Sequence, residues 1–243
     1  MLRKGWPRQP KIWVRRRLPV GRGYGTSTAD IGAALTAACA ADGRELPARE
    51  AARIAVRVEP TDSTLFPDLT LFAHRSGKIR QSLGLAPAAQ ILIIDPGGFV
   101  DTQAFNRRDR RALLAGLRDA HAHAFEILRE GIETADLNLI GRAASLSSRL
   151  HQRVLFNPLL EKVLWLCEQV GAAGVCRAHS GTILGLLLPD ERDDLNDLIE
   201  FGRSHLPAGL DWVRTRLTGG GARFCEVPDE ECLHPESVSE DCR

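Results

Sequence analysis

Apolar positions change their spacing along the chain, and the changes mark out elements. Ile31, Ala34, Leu35 and Ala38 recur at helical spacing over residues 29–42, and Gly43 ends the run. A second helix starts at Pro47, a favoured first-turn residue, and stops at Pro60. It carries Ala51, Ile54, Ala55 and Val58 on one face. Short apolar runs at 69–74 and 90–94 read as strands, the second broken by Pro96-Gly97-Gly98. From residue 107 helical spacing takes over. Leu113, Leu114, Leu117, Ala120, Ala124 and Ile127 predict one long amphipathic helix, followed by helices at 136–154 and 158–170. Residues 174–189 read as strand, tight turn, strand; 191–205 as a further helix; 212–217 as a closing strand. Upstream, residues 11–17 (K-I-W-V-R-R-R) read as a strand. The sum is an α+β chain without internal repeats. Its expected parts are 1–90, 91–225 and a loose, acidic, proline-containing tail at 226–243.

Composition narrows the function classes more than it names one. Of 243 residues, 44% are apolar and 26% charged, and 32 basic against 31 acidic side chains leave a net charge of +1. That balance offers no global field for nucleic acid or membrane, so neither is expected as a partner. The basic residues near the start, Arg3 to Arg17, read as a solvated end. No apolar run reaches membrane-spanning length, and the first residues lack the apolar core of a secretory signal. Six scattered cysteines fit a reducing cytosol, so a cytoplasmic location is expected. Cys225, Cys232, His234 and Cys242 match no zinc-ligand spacing, and no metal is expected there.

Candidate chemistry starts at Pro19-Val-Gly-Arg-Gly-Tyr-Gly-Thr-Ser-Thr-Ala-Asp30, between a predicted strand and a predicted helix. Glycines at alternate positions let backbone N–H groups approach an anion, and a helix start behind them suits phosphate. Thr26, Ser27 and Thr28 add hydroxyls able to donate to phosphate or to ligate Mg2+. The loop lacks the G-K-[ST] ending of the common P-loop, and its G-x-G-x-G spacing is wrong for a dinucleotide fingerprint. Taken alone, it is equally a phosphate cradle or simply a turn.

Two further stretches stand out. Glu59 and Asp62, in E-P-T-D-S-T, lie three residues apart at the end of the second helix. Phosphoryl transfer uses such carboxylates for metal and for the attacking hydroxyl, whereas a helix break and an Asx turn use them for structure alone. In Ala178-His179-Ser180-Gly181-Thr182, His179 is open to a general-base reading, but a hydrogen-bonded structural histidine fits such a turn better. Asp95 and Asp101 flank a glycine turn and read as turn residues.

The glycine loop resembles the second motif of the GHMP small-molecule kinases, P-x-G-x-G-x-[GA]-[ST]-S. Its extension Ser27-Thr28-Ala29-Asp30-Ile31, together with E-P-T-D-S-T and L-T-L-F, resembles the L-threonine kinases of the cobalamin pathway. The A-H-S-G-T turn resembles the third GHMP motif, and Thr218–Gly220 the family's closing segment. The resemblance implies a two-lobed α+β fold. The first lobe would be of the ribosomal S5 domain 2 type and the second ferredoxin-like. It implies ATP with Mg2+ as cofactors and a small-molecule acceptor, with a homodimer possible. ATP phosphates would lie on Pro19, Gly21, Gly23, Gly25, Thr26, Ser27 and Thr28, with Ser180 and Gly181 shaping the site. Mg2+ would sit on Glu59 and Ser27, and the substrate hydroxyl near Asp62. The expected reaction yields O-phospho-L-threonine for the cobalamin nucleotide loop. Homoserine or another small alcohol as acceptor, or an inactive N-terminally truncated remnant, are the alternatives. The family's first motif, P-x-[ST]-x-G-E-h-x-x-G, has no counterpart here, so the first lobe is expected to be incomplete at its N-terminus.

Overall fold

In the computed structural model, which describes residue 14 and residues 16–222, the predicted strand at 11–17 lies mostly outside the described residues. So do the tail and the 225–242 cysteine and histidine group. The first helix, α1 (Thr26–Ala41), begins inside the hydroxyl triplet, earlier than apolar spacing alone suggested. Helix α2 (Ala48–Val58) follows. Ala51, Ala52 and Ala55 pack on Leu65 and Phe66 of the turn after it, with Ile31 of α1 against them. Gly32 is buried there, and a Cβ on it would stand 2.7 Å from a Leu65 methyl. A hairpin of β1 (Leu69–Ala73) and β2 (Lys78–Gly84) forms a separate antiparallel pair.

The larger sheet has four antiparallel strands in the order β4-β5-β3-β6. These are β3 (Ala89–Asp95), β4 (Gly174–Arg177), β5 (Leu184–Pro189) and β6 (Asp211–Arg216). In chain order the first of the four pairs with the third and the last, and the second lies at the edge. This is the ferredoxin-like arrangement. Leu184, Leu186, Leu187 and Leu188 of β5 are all buried, as befits a central strand covered on both faces. Leu184, Leu186 and Leu188 cluster with Leu92 and Ile94 of β3, Leu160, Val163 and Leu166 of α7 (Leu160–Gln169), and Leu198 and Ile199 of α8 (Leu195–His205). Each of these aliphatic side chains stabilises the fold by roughly 1.5–3 kcal/mol relative to exposure, so this cluster is the principal core.

Three departures from the sequence expectations have physical causes. Strand β2 was not foreseen, because Gln81, Ser82 and Gly84 are exposed and polar or small. Its cross-strand bonds to β1, not its own pattern, make it a strand. The single long helix from residue 107 is instead α3 (Thr102–Arg107), α4 (Arg111–Ala115) and α5 (Arg118–Glu133). The apolar spacing runs on through Gly116, but Leu117 turns inward to burial and its N–H bonds the Leu114 carbonyl at 3.2 Å. The helix expected from 191 starts at Leu195, after Arg192 pairs with Asp194 and donates to the Val170 carbonyl. Helix α6 (Leu137–His151) is capped by the Asp136 carboxylate, which accepts from the Asn138 and Leu139 N–H groups. It crosses β4 so closely that Gly141 and Gly174 meet backbone to backbone. Helix α5 packs against α6, and no helix among the described residues is long and apolar enough to cross a membrane.

Candidate active site

The glycine loop, the α2–β1 turn, the segment after β3 and the β4–β5 turn enclose one cleft of about 610 Å3. Gly25 caps α1 in the left-handed region at φ 70° and has no side chain to satisfy the helix start. The first N–H groups of α1 therefore have no side-chain cap, and Thr26, Ser27 and Thr28 line the cleft at that point. An uncapped helix N-terminus attracts anions through its free donors and its dipole. Gly23 is held at φ +104°, and a Cβ there would lie 2.1 Å from the Ala178 methyl. The loop is thus pressed onto the β4–β5 turn, leaving its other face to the cleft.

Two of the loop's carbonyls are committed on the protein side. Arg22 O accepts from Thr182 N at 2.8 Å and from Ile183 N at 3.2 Å, and Gly21 O accepts from Val100 N at 2.9 Å. Asp95, read from sequence as a turn residue, is something more. Its carboxylate is buried and accepts from Arg22 Nη1 at 3.0 Å, Tyr24 Oη at 3.0 Å and Gly97 N at 2.8 Å. It ties two side chains of the glycine loop to the end of β3. Burial, and then the bond to Asp95, push the Tyr24 phenol up to about 12. Asp95→Ala is expected to weaken phosphate-type anion binding at the loop about 10-fold by loosening it. Equilibrium titration checks this, and a denaturant melt should show a stability loss of about 2 kcal/mol, moderated by the access of Arg22 to water.

On the other wall stands the E-P-T-D turn. The Thr28 hydroxyl, itself buried, accepts from Asp62 N at 3.1 Å, so α1 fixes the backbone that carries Asp62. Thr61 is fully buried. Its N–H reaches His74 O at 3.1 Å and its hydroxyl donates to Glu59 O at 3.0 Å. From the far side Gly219 and Gly220 lie against the carbonyls of Thr64, Phe66 and Pro67, bracing the turn. The Ser27 hydroxyl donates to a Glu59 carboxylate oxygen, bringing these two hard oxygen ligands together. The Asp62 carboxylate opens to the cleft, 3.8 Å from where a Gly25 Cβ would stand. Desolvation in the cleft raises its pKa; His74 opposes the rise and Glu59 adds to it.

The remaining expected site residues fall in different places. Ser180 lines the cleft, and Gly181 lies behind it against Arg22 and Gly23. Pro19 is exposed and does not line the cleft. Asp30 turns away and pairs with Arg16 at 2.6 Å. Asp101 caps α3 through Ala104 N and borders the cleft. The structural histidine expected at 179 is in fact His151. It is buried, its Nε2 bonds the His179 carbonyl at 2.7 Å, and its ring lies 4.5 Å from that of His179. The ring of His179 is exposed to the cleft. Nothing in the sequence marked His151 as the anchor, because its partner is a backbone carbonyl 28 residues away.

Burial, helped by the charges of His179 and Arg177, lowers His151 to about 4. The folded protein then binds a proton there less readily than the unfolded chain. This contribution to stability is full above the unfolded pKa of about 6.5 and is lost as pH falls toward about 4. Chemical denaturation at pH 7.5 and pH 4.5 should show the wild type losing about 2 kcal/mol more than His151→Gln.

Comparisons with known proteins bear on the family and the fold. The family profile for the N-terminal domain of GHMP kinases matches residues 1–66, and that for the C-terminal region matches residues 128–207. An L-threonine kinase of Citrobacter freundii is 31% identical over 214 residues, covering 86% of this chain and 74% of the relative. The chain belongs to the GHMP kinase family. An L-threonine kinase of Salmonella typhimurium is 32% identical over 190 residues, and the aligned region takes in 78% of this chain and 63% of that relative's length. The L. major mevalonate kinase structure with R-mevalonate superposes at a TM-score of 0.60 with 19% identity, covering 82% of this chain and 67% of that one. It shows the same fold. The α+β architecture expected from the GHMP resemblance is the one observed.

The cleft also suits the cofactors that the family implies. Unspent helix-start donors fit the phosphates of ATP, and Glu59 with Ser27 supplies oxygen donors for Mg2+. No group of three metal-binding side chains occurs among the described residues.

Proposed function

We propose that the protein is an ATP-dependent kinase that phosphorylates the hydroxyl of L-threonine, giving O-phospho-L-threonine and ADP. The observation that carries this reading is the Asp62 carboxylate, facing the same cleft as an uncapped helix start. The likeness to two L-threonine kinases supports the choice of acceptor.

In this reading the loop at 21–25 and the start of α1 hold the phosphates of ATP, and Glu59 with Ser27 faces Mg2+. When bound, the ion would neutralise charge on the phosphates. Asp62 orients the acceptor hydroxyl and takes its proton as the oxygen attacks the γ-phosphorus and the bond to the ADP oxygen breaks. Its raised pKa makes it a better proton acceptor than an ordinary carboxylate. Thr28 positions Asp62 through its backbone, while Ser180 and Gly181 shape the wall opposite.

The test is turnover of the full chain with MgATP and a panel of L-threonine, L-serine, L-homoserine and simple alcohols, the product read by 31P NMR. Preference for L-threonine is expected. Preference for homoserine would move the acceptor within the family, and absence of any turnover would overturn the enzyme reading.

A further inference from the structure

The segment after β3 carries an aromatic side chain into the cleft that the proposed reaction does not use. Phe99 is 67% exposed and lines the cleft beside Val20 and Gly21. Leaving so much aromatic surface in water is unfavourable, and aromatic side chains lining a cleft commonly contact its ligand. Among the described residues the ring has no aromatic partner, whereas those of Phe66, Phe105 and Phe201 each have one.

The backbone fixes Phe99 from both sides. Gly97 N donates to Asp95 Oδ1 at 2.8 Å, and Val100 N donates to Gly21 O at 2.9 Å. Gly97 and Gly98 both lie in the left-handed region, at φ 72° and 78°, a reversal that residues with a Cβ rarely adopt. The ring rests on Gly21, where a Cβ would stand 2.1 Å from its Cδ2 and 2.3 Å from its Cε2. Only a bare residue at 21 lets the ring lie on the backbone of the glycine loop.

The loop also places the ring relative to the reacting groups. At its other end a Gly25 Cβ would stand 3.8 Å from Asp62 Oδ2, and α1 begins there with Thr26 and Ser27. In the proposed reaction the γ-phosphate lies at that end. Gly21 and Phe99 mark the opposite end, separated from Gly25 by a span of at most about 14 Å. A nucleoside triphosphate laid along the loop from Asp62 and Ser27 therefore directs its base toward Phe99.

We propose that the Phe99 ring is the surface on which the base of ATP stacks. The inference rests on the kinase reading given above. It adds the nucleoside, for which neither the glycine loop nor Asp62 provides a contact. Stacking on an aromatic ring needs only a π-face, so this contact is independent of the phosphates.

Calorimetric titration of the full chain with Mg2+ tests this with two probes. They are ATP and inorganic tripolyphosphate, which keeps the phosphate chain and lacks the nucleoside. Phe99→Ala is expected to weaken ATP about 30-fold and tripolyphosphate by less than about twofold. Phe99→Tyr, which keeps the π-face, should bind ATP within about threefold of wild type. Phe99→Leu, apolar but not aromatic, should lose about 10-fold. Because the ring is exposed, all three variants should melt with wild type.

Equal weakening of both probes in Phe99→Ala overturns the inference, since the ring would then only brace the loop. Unchanged ATP affinity with weakened L-threonine also overturns it, by moving the ring to the acceptor. If wild-type protein binds ATP no better than tripolyphosphate, the base has no site here and the inference falls while phosphate binding stands. Binding of neither probe removes the kinase reading itself, and the inference with it.

Discussion

Asp62→Asn should lower kcat about 1000-fold with little change in KM for ATP, because in the proposed mechanism it removes the proton acceptor and leaves the phosphate cradle intact. The amide is nearly the same size and keeps the backbone N–H that bonds the Thr28 hydroxyl. The loss should not come from unfolding. Burial raises the pKa of Asp62 above its unfolded value, so the fold favours the neutral form, and ionising it costs stability as pH rises through the folded pKa. A neutral amide at that position should therefore melt no lower than wild type at pH 7.

The pH profile gives an independent reading of the same group. In the proposed mechanism activity needs the ionised carboxylate, so kcat/KM should rise with pH through the raised pKa of Asp62, at higher pH than for an ordinary aspartate. Glu59 adds to the upward shift, so Glu59→Gln should move this acid limb down even as it weakens Mg2+ dependence. An acid limb that survives unchanged in Asp62→Asn would assign it to another group.

Gly181→Ala should be nearly as damaging by a different route. A Cβ there would stand 2.2 Å from the Arg22 carbonyl oxygen and 2.4 Å from Gly23 Cα. Both obstacles are backbone, so no side chain can swing aside. The β4–β5 turn and the glycine loop would have to part, breaking the two N–H bonds that Thr182 and Ile183 donate to Arg22. Overpacking of this kind costs about 1–3 kcal/mol, and a displaced loop should lower kcat/KM for ATP about 100-fold. Ser180→Ala, one residue away but facing the cleft, serves as the control and should spare stability. A melt and an ATP titration on both variants separate packing from contact with ligand.

Several features were legible from sequence because local chemistry dictates them. Helices α1 and α2, and α6 to α8, announce themselves by spacing and end signals, and β3 and β5 by apolar runs flanked by turn residues. Glu59, Asp62 and the glycine loop could be singled out because helix breaks and alternate glycines are local features. Strand β2 was not legible, since an exposed polar strand exists only through the partner it bonds. Nor was the division of the long helix, because the burial of Leu117 that favours the break comes from its tertiary neighbours.

The site divides in the same way. Sequence alone marked the phosphate-type loop, the acidic pair and the three family motifs, because these are short runs whose composition follows from what the backbone there must do. Only the tertiary structure decided that Asp95 fastens the loop and that His151 rather than His179 is the buried anchor. These depend on partners 73 and 28 residues away. An aspartate or a histidine has no fixed role of its own. Burial and the donors that surround it assign one, and both are set by the packing of the whole chain.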